Sequence, residues 1–90
     1  MSIEVRIPTI LRSYTDGEKV VAGSGSTLAE LIDDLESRHV GLRERLVDAD
    51  GLRRFVNVYL NDEDVRFLDG LATPVKDGDN VTVLPAVAGG

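Results

Sequence analysis

Residues 27–41 carry the one helical signal in the chain strong enough to dictate an architecture. Leu28, Leu31, Ile32 and Leu35 recur at i, i+3, i+4 and i+7, which gathers them into a single apolar stripe. Thr27-Leu28-Ala29-Glu30 matches a capping box, in which the threonine hydroxyl and the glutamate each satisfy a free N–H of the first turn. Asp33, Asp34 and Glu36 take the other face, Arg38 and His39 fall in the last turn, and Gly41 is the expected C′ residue. A stripe of four large aliphatic side chains needs a cover. The chain offers no second long helix to supply one, so the cover has to be a sheet.

The remaining segments read as strands and turns. Ile3, Val5 and Ile7 alternate with Glu4 and Arg6, the period-2 pattern of a half-buried strand. Pro8 confines pairing there to an edge or an end. Ser13 to Gly17 reads as a turn, Glu18 to Ala22 as a short second strand, and Gly23-Ser24-Gly25-Ser26 as a loop. After the helix, Leu42 to Val47 forms a short helical turn and Asp48 to Gly51 a loop. Phe55-Val56-Asn57-Val58-Tyr59-Leu60 is the strongest strand signal, rich in β-branched and aromatic residues. Asn61 to Asp64 turns into a brief strand, Val65 to Phe67, and 71–75 is irregular. Asp77-Gly78-Asp79-Asn80 is a turn, Val81 to Leu84 the last strand, and Pro85 stops further pairing on its N–H side.

A hairpin, a helix and short strands closing on a strand predict an α+β fold. We expect a mixed four- to five-stranded sheet packed on one main helix, the ubiquitin-like β-grasp roll. Its first and last strands lie side by side in mid-sheet. Residues 1–84 then form the domain and 85–90 a flexible C-terminal tail.

Composition narrows the function. Cysteine is absent, which excludes disulfides, thiolate metal sites, a cysteine nucleophile and a side-chain persulfide. The net charge of −6 argues against a nucleic-acid binder, which needs a basic face to displace phosphate counterions. It suits a basic patch on a partner protein. No stretch approaches membrane-spanning length and Met1 to Arg6 has no apolar leader, so no membrane partner and a cytoplasmic location are expected.

Several residues invite sharper readings that their context does not support. His39 suits a helix C-terminus for dipole reasons alone. Asp48-Ala49-Asp50-Gly51 lacks the ligand count of a calcium loop, and Asp62, Glu63 and Asp64 read as turn and surface residues. Gly23 to Ser26 is not followed by the Gly-Lys-Ser/Thr of a phosphate loop. Arg43, Arg45, Arg53 and Arg54 read as solvated, or as contacts for an acidic partner. No metal-ligand cluster or acid–base pair emerges, so an enzyme is the weakest reading.

The sequence closes on Val83-Leu84-Pro85-Ala86-Val87-Ala88-Gly89-Gly90. With the preceding Asp77-Gly78-Asp79-Asn80-Val81-Thr82, this resembles the closing pattern of the MoaD/ThiS family of ubiquitin-like sulfur carriers. That pattern is a D-G-D turn, an apolar strand, a proline, a small-residue spacer and Gly-Gly. Residues 54–67 and Ile7-Pro8-Thr9-Ile10-Leu11-Arg12 look closer to the branch that carries sulfur for cysteine synthesis. Small subunits of molybdopterin synthase more often have an aromatic and two prolines before the spacer, where this chain has Leu84-Pro85-Ala86. That alternative, and a plain ubiquitin-like binding module with an inert terminus, stay open.

The resemblance implies a chemistry centred on the carboxylate of Gly90, with Gly89 beside it. A free α-carboxylate titrates at about 3.3–3.7, so at neutral pH it is an anion and a poor acyl donor. A ubiquitin-activating-like adenylating enzyme using ATP would activate it, and sulfur would then replace AMP to give a thiocarboxylate. A pyridoxal-phosphate-dependent cysteine synthase and a zinc-dependent peptidase would act next. ATP, pyridoxal phosphate and zinc all belong to those partners, and no cofactor is expected on this chain. Two terminal glycines suit a narrow channel, because they lack Cβ and take extended or positive-φ conformations. Pro85 to Gly90 spans at most about 20 Å. The expected partner contacts are Leu84, Pro85, Ala86, Val87 and Ala88, with Phe55 and Tyr59 on the sheet face turned from the helix.

Overall fold

A computed structural model describes residues 2–54 and 56–85. The strands and helices in chain order are β1 (Ile3–Arg6), β2 (Val20–Gly23), α1 (Leu28–Glu36), α2 (Leu42–Leu46), β3 (Val47–Asp48), β4 (Gly51–Leu52), β5 (Val56–Leu60), β6 (Glu63–Asp64) and β7 (Asn80–Pro85). The main sheet runs β2-β1-β7-β5-β6. β1 and β7 pair in parallel, with Val5 opposite Val81, and the other neighbours are antiparallel. This is the β-grasp roll, with the closing strand between β1 and β5.

Alternation decides which face is covered. Ile3, Val5, Val21, Val56, Val58, Val81 and Val83 point inward and are buried. They meet the α1 stripe, whose Leu28, Leu31, Ile32 and Leu35 are at most 3% exposed. Burial of each such side chain stabilises the fold by about 1.5–3 kcal/mol. Thr27 caps the helix by accepting from the Glu30 N–H at 3.2 Å. Glu30 reaches one residue further back than a capping box requires, to the Ser26 N–H at 2.9 Å. Leu28 N–H already donates to Thr73 O, in a segment that also bridges Thr27 with Pro74.

Two carboxylates on α1 fasten it to its surroundings. Asp34 accepts from Ser24 N–H at 2.9 Å and pairs with Arg38 at 2.7 Å, and Arg38 also donates to Ala22 O on β2. The Ser24 N–H, then Arg38, hold the Asp34 carboxyl below its ordinary value. Glu36 accepts from the N–H groups of Gly41 and Arg43, which lower its titration in the same way.

Four local expectations need correction. Gly41, at φ 96°, is the N-cap of α2 and not the C′ residue of α1, which ends at Glu36 with Ser37 as its cap. Glu36 makes that early stop possible by capping the second helix. Residues Thr9–Thr15 form a 3-10 helix in place of a turn from Ser13, because Pro8 favours a helix start and Asp16 closes it in the left-handed region. Val65–Phe67 is a 3-10 helix and not a strand: Asp64 caps it by accepting from Arg66 N–H, and pairing with β5 stops at Asp64. Val47 and Asp48 pair with Leu52 and Gly51 in a small hairpin, in place of a helix end and a loop.

β7 also runs one residue past the expected domain boundary, with Pro85 opposite Val56. The β1 ladder ends at Thr82, so beyond it β7 borders only β5, and a residue without an N–H is tolerated at such an end.

Candidate functional site at the end of β7

β7 positions the site, and its entry is fastened from below. Asp79, buried despite its charge, accepts from Lys76 N–H at 3.0 Å and from the Asn61 side-chain amide at 3.1 Å. Asn61 in turn accepts from Asn80 N–H at 2.9 Å and donates its own N–H to Asn80 O. Gly78, at φ 92°, makes the turn between them, a conformation that side chains rarely adopt. The D-G-D motif is thus a structural anchor that ties the start of β7 to the end of β5.

At the other end, β7 delivers Pro85 to the surface. Leu84 is 44% exposed and opposes Asn57, while Thr82 opposes Tyr59. Leu84 and Tyr59 therefore lie on the sheet face turned away from α1. Phe55, Ala86, Val87, Ala88, Gly89 and Gly90 lie outside the described residues.

The 3-10 helix at 9–15 adds what sequence reasoning missed. It lifts Ile10 to 67% exposure beside Leu84 and Pro85. The signal was present as Pro8-Thr9-Ile10-Leu11, but Leu11 turns inward and Ile10 outward only once the segment is helical. Two grooves meet along this ridge. One, of about 530 Å³, is bordered by Tyr14, Arg45 and Arg53. The other, of about 420 Å³, is bordered by Arg6, Arg12 and Lys19.

Three of these cations are held in place. Arg12 Nε donates to Ile7 O at 3.2 Å, Arg53 Nε to Glu44 O at 2.6 Å, and Arg45 Nε to Tyr14 Oη at 2.6 Å. The Arg45 guanidinium also sits 5.3 Å from the Tyr14 ring centroid, a cation–π distance.

The other sequence candidates are accounted for locally. Gly23 to Ser26 has its N–H groups at Ser24 and Ser26 occupied by Asp34 and Glu30, which leaves no cradle there for a phosphate. Asp50 N–H donates to Asp48 as an ordinary turn. His39 N–H donates to Leu35 O in the turn after α1. Among the described residues no group of His, Asp and Glu is placed to hold a metal ion. No helix among them is long and apolar enough to cross a membrane.

A β-grasp body whose central strand reaches the surface at Pro85, ahead of a small-residue sequence closing on Gly89-Gly90, defines the class of ubiquitin-like carrier proteins. The ThiS family profile matches residues 5–90, and the chain belongs to that family. It is 58% identical over 93 residues to the sulfur carrier protein CysO of Mycobacterium tuberculosis, with 100% of both chains covered. Its structure matches CysO in the Amycolatopsis orientalis BexX/CysO complex with a TM-score of 0.93 at 61% identity, covering 98% of this chain and 99% of that one. The crystal structure of Mycobacterium tuberculosis CysO gives 0.90 at 57% identity, over 94% and 99%. The chain is a sulfur carrier of this type.

Proposed function

We propose that the carboxylate of Gly90 is the reacting group, delivered by residues 85–90 to successive partner enzymes. An adenylating enzyme joins the carboxylate to AMP from ATP with loss of pyrophosphate. Sulfide then displaces AMP and leaves a thiocarboxylate. That sulfur adds to the β-carbon of an aminoacrylate on a pyridoxal-phosphate-dependent cysteine synthase, and the acyl group shifts from sulfur to nitrogen. A zinc-dependent peptidase hydrolyses the resulting amide, releases cysteine and restores the glycine carboxylate. The chain acts throughout as a protein co-substrate.

The observation that carries this reading is the full-length match to CysO, combined with a central strand that ends at the surface beside an open ridge. The relative crystallised with BexX supports the idea that this body docks on partner proteins. The same match favours the cysteine branch over molybdopterin synthesis.

Intact-mass analysis tests the reading. After incubation with the adenylating enzyme, ATP and sulfide, the chain is expected to exchange one terminal oxygen for sulfur. A variant lacking Gly90, or with one residue added after it, is expected to melt like the wild type and stay unmodified. Conversion of either variant would overturn the assignment of the terminus.

A further inference from the structure

The charges of this acidic chain are not evenly spread. Among the described residues both ion pairs, Arg38–Asp34 and Arg43–Asp33, lie on the α1 side. The β-ladder registers place Glu4 beside Asn80, at the start of β7, where Asp62, Glu63, Asp77 and Asp79 also gather. Arg6 lies beside Thr82 and Val20, toward the exit. Arg6, Arg12, Lys19, Arg45 and Arg53 border the two grooves there, and among the described residues no carboxylate lines either groove. Asp16, Glu18 and Glu44 are near in sequence but lie off the groove walls. In a chain of net charge −6, this is a cationic collar around an apolar ridge of Ile10, Leu84 and Pro85.

Reach limits what can cover the collar. Five residues follow Pro85 up to and including Gly90, so the carboxylate lies within about 18 Å of Pro85 even when fully extended. An enzyme that holds the carboxylate in a closed site must bring its channel mouth onto the ridge. An apolar centre with a charged rim is the ordinary anatomy of such contacts.

We propose that this collar is an electrostatic docking surface, complementary to an acidic channel mouth on the adenylating partner; the inference rests on the reading above. Ile10 and Leu84 seat against the apolar lip, and the five cations face its carboxylates. The long-range field acts mainly on encounter, which raises the association rate and falls with salt. The acidic far end turns away from the mouth and orients the approach, so that the exit leads.

Single charge reversals test the proposal, with the purified adenylating enzyme and ATP-dependent pyrophosphate exchange as readout. Arg6 and Lys19 are exposed and Lys76 lies at the opposite end, so Arg6→Glu, Lys19→Glu and Lys76→Glu change net charge equally at two different places. The two collar variants are expected to lower kcat/KM roughly five- to tenfold at low salt, with kcat and Tm unchanged. The deficit is expected to close as KCl rises, and Lys76→Glu is expected to stay within about twofold of wild type. Equal behaviour of all three variants would overturn the collar while leaving the carrier reading intact. No exchange with the wild type at any salt would overturn the carrier reading itself. A salt-sensitive dimer in sedimentation, abolished by Arg6→Glu, would assign the collar to a second copy of this chain and overturn the proposal.

Discussion

At Gly25 a Cβ would lie 2.7 Å from the main-chain nitrogen of Leu31 and 2.9 Å from the carbonyl carbon of Glu30. Neither atom can move without displacing α1. At Gly23 the nearest atoms are the side-chain ends of Leu31 and Leu35, at 2.7 and 3.0 Å, which can rotate away. Gly25→Ala is therefore expected to cost about 1–3 kcal/mol in urea unfolding, and Gly23→Ala less. The sequence marks both positions only as loop, because close approach of a backbone is a tertiary fact with no local signature. Leu84 was legible for a different reason: in a strand, a parity opposite to that of buried Val81 and Val83 is enough to turn it outward. Ile10 was not, since its direction depends on a 3-10 helix whose only mark in the sequence is Pro8 ahead of Thr9.

Among the elements, those held by long apolar periodicity were readable and those held by side-chain caps were not. α1, β5 and β7 lie close to their expected positions, because stripe and alternation fix them. The 3-10 helix at Val65–Phe67 depends on the Asp64 cap, and on Arg66 donating to Arg53 O and Val56 O at the start of β5. A β-branched and aromatic run says nothing of those contacts. The D-G-D turn was legible as a turn but not as an anchor. Asp79→Ala removes the acceptor of Lys76 N–H and of the Asn61 amide, and leaves both partly buried groups unsatisfied. A loss of about 1–3 kcal/mol is expected in thermal or urea unfolding. The thiocarboxylate yield of the remaining folded protein should be unchanged, which distinguishes anchoring from docking.

For the whole molecule, strand order could be derived from element order, but the separation of charge along β7 required the ladder registers. Acid stability is also a property of the whole. Unfolded, Asp34 and Glu36 titrate near their ordinary values of 3.8 and 4.5, and in the fold hydrogen bonds hold both lower. A depressed folded value contributes stability above the unfolded value and loses it as pH falls through the folded one. Tm is therefore expected to be level above about pH 5 and to decline below about pH 4.5. Asp34→Asn and Glu36→Gln are each expected to flatten that decline in pH-dependent melting.

The parallel neighbour of β7 also decides how the body answers a pull. Force applied to the residues beyond Pro85 runs along β7, which is hydrogen-bonded to β1 on one flank and to β5 on the other. Load along a strand stretches both ladders in shear, so their bonds share it and do not open one after another. An enzyme that draws the peptide into its channel thus tows a rigid body and does not unravel it.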